Sequence, residues 1–186
     1  MKNNIIVFIG GMSESGKSHT GIYLEKKHNF QRIKIIKIQK KLMQINNIEY
    51  NENNFSESLS KLFKIKNIYL NFINLILEEA KDKNIVLESL YDKNIYLEIK
   101  KLHSQTFCIF LKANWLKRIL REKRKTNLTF FKTLKKVKKK EKFKKNKNAH
   151  TVKVVSDFII INNKNTQFLE KNLDLILSKI KNKSFL

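Results

Sequence analysis

The chain predicts an α/β fold of three layers, a mostly parallel sheet with helices on both faces, and three observations carry that expectation. Strand-like and helix-like patterns alternate along its 186 residues, the order in which helical crossovers join parallel strands. The first strand, Ile5-Ile6-Val7-Phe8-Ile9, is β-branched and aromatic throughout, the composition of a strand buried on both faces. All four glycines, Gly10, Gly11, Gly16 and Gly21, follow it closely in a chain that contains no proline.

Three of those glycines frame Gly11-Met12-Ser13-Glu14-Ser15-Gly16-Lys17-Ser18. The spacing G-x-x-x-x-G-K-S is that of a phosphate-binding P-loop: backbone N–H groups surround a polyphosphate, the lysine reaches the β/γ-phosphates and the serine hydroxyl ligates Mg²⁺. Its flanks agree, because Ser18 to Phe30 carries Ile22, Tyr23 and Leu24 among polar residues and predicts a helix that starts inside the motif. A helix N-terminus supplies free N–H donors and positive potential to an anion. A nucleoside triphosphate is therefore the expected ligand.

Beyond this helix, Arg32 to Ile38 sets Ile33, Ile35 and Ile36 among lysines and predicts the second strand, and Ile45 to Asn54 is a polar connection. Phe55 to Lys81 has apolar residues near helical spacing and predicts two helices. Asn84-Ile85-Val86-Leu87-Glu88 is a short strand that ends in a carboxylate. Open α/β sheets bind ligands at that strand end, and a P-loop enzyme needs an acid there to hold the Mg²⁺ hydration shell or accept a proton. Glu88 is the candidate for both tasks.

Leu97 to Leu102 predicts a helix, Phe107 to Leu111 a strand and Trp115 to Lys123 another helix. Cys108, the single cysteine, lies in that strand as a small buried residue, so neither a disulfide nor a thiolate zinc cluster is expected. Arg118, Arg121 and Arg124 are three of only four arginines in a lysine-rich chain, and the first two are neighbours on one helical flank. Guanidinium groups there would stabilise charge on a transferring phosphoryl group; the alternative is surface ion pairing, for example with Glu122. Asp157 to Asn163 predicts the last core strand and a polar turn, and Phe168 to Ile180 an amphipathic closing helix.

The formal net charge of +24 would argue for nucleic acid as partner, but joint enrichment in Lys, Asn and Ile points to a biased codon pool. The local excess is Lys132 to Lys147, ten lysines against Glu141, either a solvated loop or a basic lid. Apolar runs fall far short of the roughly 18 residues needed to span a bilayer, and Met1 to Asn4 leaves no room for a signal peptide. The expectation is a cytoplasmic protein of one domain, 1–186, with a lid region near 115–150.

In this order, the glycine loop, the acid-ended strand, the arginine-bearing helix and the closing strand and helix resemble the nucleoside-phosphate kinases of the P-loop class, and within it dephospho-CoA kinase and its archaeal-type kinase-like relatives. The resemblance rests on Gly11 to Ser18, Ile85 to Leu90, Asn114 to Arg121 and Ser156 to Asn162. It implies a three-layer P-loop NTPase fold of nucleotide-kinase type with a helical lid, ATP and Mg²⁺ as cofactors, and a small nucleotide-like acceptor. The ribose 3′-hydroxyl of dephospho-CoA is favoured, with a nucleoside monophosphate as runner-up. It further implies that Gly11, Met12, Ser13, Glu14, Ser15, Gly16, Lys17, Ser18 and Asn162 hold the nucleotide, that Ser18 and Glu88 serve the metal, and that Lys17, Glu88, Arg118 and Arg121 are catalytic. The chain departs from the family where a second-strand aspartate falls near Lys37, its following arginine near Lys40, another arginine at Tyr91, and Pro-Gly at Ser13-Glu14. These departures leave room for an ATPase or switch acting on RNA or ribosomes.

Overall fold

The computed structural model describes residues 4–50, 55–146 and 148–183. Residues 51–54 of the expected connection, Lys147 of the lysine run and Met1 to Asn3 lie outside the described residues. β1 (Ile6–Gly11) runs through the centre, and alternation along it decides the layers. Ile6 and Phe8 enter one core while Val7 and Ile9 enter another, all fully buried.

Among the described residues the other strands are β2 (Gln31–Lys34), β3 (Ile85–Leu90), β4 (Thr106–Lys112) and β5 (Phe158–Ile161), in sheet order β2-β3-β1-β4-β5. Every pairing is parallel. The helices are α1 (Lys17–His28), α2 (Ile35–Ile45), α3 (Phe55–Leu62), α4 (Ile68–Ala80), α5 (Lys93–Leu102), α6 (Trp115–Arg124), α7 (Phe130–Asn146), α8 (Val152–Val155) and α9 (Thr166–Lys183). Residues of α2 to α5 and α8 fill the core on the Phe8 face, and residues of α1 and α9 fill the Val7 face. The three-layer α/β/α arrangement expected from the sequence is the observed one. No described helix is long and apolar enough to cross a membrane.

The chain leaves β1 for β2 on one side of it, and after β3 crosses over to β4 on the other side. The crevice at such a switch point, outside the carboxyl ends of the strands, is where these sheets take ligands. The glycine loop sits there by topology alone.

The second strand is shorter than the pattern of Arg32 to Ile38 predicts: β2 ends at Lys34 and α2 begins at Ile35. Ile35, Ile38 and Leu42 recur at helical spacing and are buried beneath α2, so period 3.6 overrides the apparent alternation. Cys108 is buried as expected, its thiol 3.3 Å from Ser156 Oγ. Burial pushes that thiol up to about 12.

Glu88 is 1% exposed and accepts a hydrogen bond from Arg32 Nε at 2.5 Å. That bond raises the Arg32 pKa, ahead of an opposing desolvation effect. Gly21 of α1 makes room for the pair, since a Cβ at this position would run into Glu88 Oε1. Replacing Gly21 with alanine should therefore displace a buried carboxylate and lower the unfolding free energy by about 2 kcal/mol, read as a shift in the urea midpoint. An unchanged midpoint would contradict this packing.

Candidate functional site

Between β1 and α1, four consecutive peptide carbonyls of the glycine loop are turned outward and each accepts a hydrogen bond. Met12 O takes Lys17 Nζ at 2.7 Å, Ser13 O takes Arg118 Nη1 at a long 3.5 Å, Glu14 O takes Arg121 Nη1 at 3.2 Å, and Ser15 O takes Asn162 Nδ2 at 2.8 Å. A peptide plane points its N–H opposite to its C=O, so the amides of Ser13, Glu14 and Gly16 turn the other way, while the Ser15 N–H donates to Met12 O at 3.4 Å. Gly11 at φ 138° and Gly16 at φ 109° bend the chain into this shape. At Gly16 a side chain would also collide with Asn162 Nδ2. The N–H groups of Lys17 and Ser18 add free donors, because the first turn of a helix has no acceptor for them.

The loop opens into a cavity of about 1040 Å³. Nine of its lining side chains are lysine or arginine and only Glu14 is acidic, a field suited to a polyanion. The cations come chiefly from α6 and α7: Arg121, Arg124 and Lys125 on one side and Lys136, Lys139, Lys140 and Lys144 on the other. Ser18 lines the cavity with an exposed side chain.

Lys17 is almost fully buried, and desolvation, with the charge of Lys144 second, lowers its pKa to about 7. Burial lowers Lys144 as well. Removal of the ammonium group from water accounts for most of the Lys17 shift, and the neighbouring Lys144 charge adds to it.

Most residues expected from the sequence converge here, with two corrections. Gly16, Lys17, Ser18, Ser13, Glu14 and Asn162 line the cavity, as does Arg121, whereas Gly11, Met12 and Ser15 shape the loop behind it. Glu88 does not line it. The β1–β3 register shifts after Ile9↔Glu88 so that Gly10 pairs with Leu90, and the extra residue, Ser89 at φ 71°, faces the cavity instead. Nor does Arg118 line it: its guanidinium is buried behind the loop, 2.6 Å from Glu141 Oε1, with Nε unpartnered. Ion pairing thus engages Arg118, though with Glu141 and not Glu122.

Glu14 adopts φ 58°, a left-handed conformation that glycine favours. Its carboxylate meets Lys125 at 2.5 Å and Lys140 at 3.8 Å, so lysines rather than water offset the negative charge beside the anion site. Lys37 and Lys41 both pair with Glu79 on α4, and the Tyr91 hydroxyl donates to Gln39 Oε1 at 2.6 Å. Lys37 and Tyr91, two of the positions that depart from the resembled pattern, thus fasten α2. Sequence reasoning missed Ser89; it named Arg124 and the basic run of Lys132 to Lys147, the latter as a solvated loop or a lid, without a place in space.

A lysine carried at a depressed pKa costs stability below that pKa, and the cost fades as pH rises from about 7 toward the unfolded value of 10.5. The stability difference between Lys17→Met and the unaltered chain should therefore be largest near pH 6 and shrink steadily through pH 9. A pH-independent difference would mean that Lys17 keeps its ordinary pKa.

No protein-family model and no curated protein matches the chain. Solved structures are similar to it throughout. An uncharacterized protein from Eubacterium ventriosum aligns over 96% of this chain and 99% of its own, with a TM-score of 0.64 and 14% identity. The shikimate kinase from Acinetobacter baumannii in complex with shikimate aligns over 96% of each chain, with a TM-score of 0.58 and 12% identity. The shikimate kinase from Aquifex aeolicus covers 94% of this chain and 96% of its own, with a TM-score of 0.54 and 16% identity. The chain has the fold of P-loop kinases.

Proposed function

We propose that this chain is an ATP- and Mg²⁺-dependent phosphotransferase that moves the γ-phosphoryl group of ATP to a hydroxyl of a small acceptor. The single observation that carries the reading is the set of outward carbonyls, which leaves inward N–H donors and Lys17 on the floor of a strongly cationic cavity. Donors fixed before the ligand arrives need no reorganisation when charge shifts during transfer.

In this reading the amides of Ser13 to Ser18 hold the β- and γ-phosphates, and Lys17 regains its proton as phosphate oxygens approach. Ser18 would hold Mg²⁺, whose contribution is to neutralise charge on the bridged oxygens. Arg121, joined by Arg124, neutralises the transferring group, while Arg118 positions the loop through Ser13 O and the Glu141 pair. The segment 115–150 acts as a lid that excludes water, which would otherwise hydrolyse ATP. Asn162 steadies the loop near the base.

The favoured acceptor remains the ribose 3′-hydroxyl of dephospho-CoA, followed by a nucleoside monophosphate; shikimate joins the panel because two structural neighbours are shikimate kinases. A second reading, an ATPase or switch acting on RNA, draws on Lys132, Lys135, Lys138 and Lys142, which are exposed along α7. RNA affinity that collapses between low and physiological salt, with no acceptor-stimulated turnover, would favour it.

Lys17→Ala should abolish ATP turnover, a loss of more than 10³-fold on the scale of charge-stabilising groups in phosphoryl transfer, while circular dichroism stays unchanged. At pH 8, ATP binding to the unaltered chain should take up close to one proton from buffer, because Lys17 with a pKa of about 7 is then mostly neutral. Calorimetry in buffers of different ionisation enthalpy reads that uptake. Normal turnover by the alanine variant would end the kinase reading.

A further inference from the structure

Phosphoryl transfer to a hydroxyl leaves a proton to be accepted, and Glu88 is committed to Arg32. Resting on the phosphotransferase reading, we propose that a second cavity beside the first is the acceptor site, that it takes an uncharged hydroxyl-bearing ring, and that Asp92 receives the acceptor's proton.

This cavity, of about 430 Å³, lies where β3 ends. It adjoins the cationic cavity along two walls. Ser89 lines one cavity and Tyr91 the other, and Lys144 at the end of α7 lines one while Asn146 lines the other. Two residues on a strand span roughly 7 Å and two on a helix roughly 3 Å, so the same two segments border both cavities.

The chemistry of the walls differs sharply from that next door. Phe63 and Tyr69 stack with centroids 5.5 Å apart and planes 25° apart, giving an aromatic platform. Ser56, Ser60, Asn94 and Asn148 also line the cavity. Among the described residues, Lys64 and Asp92 are the charged groups lining it, one of each sign, and no arginine does. An aromatic face with amides and hydroxyls around it suits the C–H face and hydroxyl edge of a sugar-like ring, and a carboxylate or phosphate would find no forked cation to hold it. Dephospho-CoA, a nucleoside monophosphate and shikimate all carry anionic groups, so this cavity narrows the acceptor to a neutral ring in place of those three.

Asp92 is the carboxylate of this cavity. It caps α5, with one oxygen accepting from Asn94 N–H at 2.9 Å, and no cation pairs with it among the described residues. In the transfer step the acceptor oxygen bonds to Pγ, the bond from Pγ to the β,γ-bridging oxygen breaks, ADP leaves with that electron pair, and the hydroxyl proton passes to Asp92.

The test uses the full chain with the first cavity saturated by ADP. Two matched pairs are titrated by calorimetry: adenosine against AMP, and methyl shikimate against shikimate. At least one neutral member should bind saturably and about tenfold more tightly than its charged partner, and both Tyr69→Ala and Ser60→Ala should weaken it. Asp92→Asn keeps the helix cap, since asparagine caps as well as aspartate. With the neutral acceptor it should lower kcat by 10²-fold or more, leave KM within threefold and remove the acidic limb of the pH profile. Absence of binding by both neutral probes, or undiminished kcat in Asp92→Asn, overturns the proposal. A fluorescent ATP analogue is titrated in parallel: its failure to bind would remove the phosphotransferase reading itself, whereas its normal binding confines a failure to the acceptor site.

Discussion

The arrangement depends first on turning four successive carbonyls away from the place where the N–H groups must converge. A glycine loop has little intrinsic preference for that shape, and glycine loses more backbone entropy on ordering than any other residue. Here the outward carbonyls are met by groups from three parts of the chain: Lys17 at the start of α1, Arg118 and Arg121 on α6, and Asn162 just after β5. Arg121 also reaches Asn162 O at 2.9 Å, joining two of these supports. The loop is thus held by residues more than a hundred positions away, and its geometry is a property of the whole sheet.

The same α6 and α7 side chains solve a second problem, that of folding a lysine run against itself. Like charges at helical spacing repel, and α7 would be a poor helix alone. Three carboxylates on or beside its inner face change the balance: Glu141 receives Arg118, Glu122 receives Lys136 and Lys140, and Glu14 lies 3.8 Å from Lys140. Burial would raise the Glu122 pKa, but the Lys140 and Lys136 hydrogen bonds prevail and hold it down at about 2. Buried Val137 and Thr133 complete the seam. The cavity nevertheless keeps a large excess of cations over Glu14, and the Lys144 charge adds to the effect of burial on Lys17.

Local features were legible in the sequence and relational ones were not. The phosphate loop, β1, β3 and β4, and the helices flanking them announce themselves through composition and period within a few residues, so fold class and loop were readable. The end of β2 was not, because Ile33, Ile35 and Ile36 fit a strand until Ile38 and Leu42 are seen packing beneath a helix. Glu88 occupies the anticipated strand end, yet one bulged residue hands the cavity to Ser89. The start of α5 could have been found from Asp92, a capping residue followed by helix formers. The place of α7 could not, since it is set by acids at positions 14 and 122 that no pattern within the run reveals.

The bulge at Ser89 also explains how two carboxylates on one strand and its exit come to differ in use. Alternation along β3 turns Glu88 toward α1, where Gly21 leaves space and Arg32 supplies a partner; a buried carboxylate without such a partner would be costly. Four residues later, beyond the bulge and the left-handed turn, Asp92 emerges at a cavity wall with a backbone N–H as its hydrogen-bond donor. The Glu88 carboxylate is engaged by a guanidinium, whereas Asp92 accepts from a backbone N–H and meets no cation among the described residues. The charge pattern then divides along the same line, with cations gathered where phosphate oxygens would lie and near neutrality where a hydroxyl would enter. An anionic acceptor would compete for those cations with the nucleotide; an uncharged one leaves them to the transferring group.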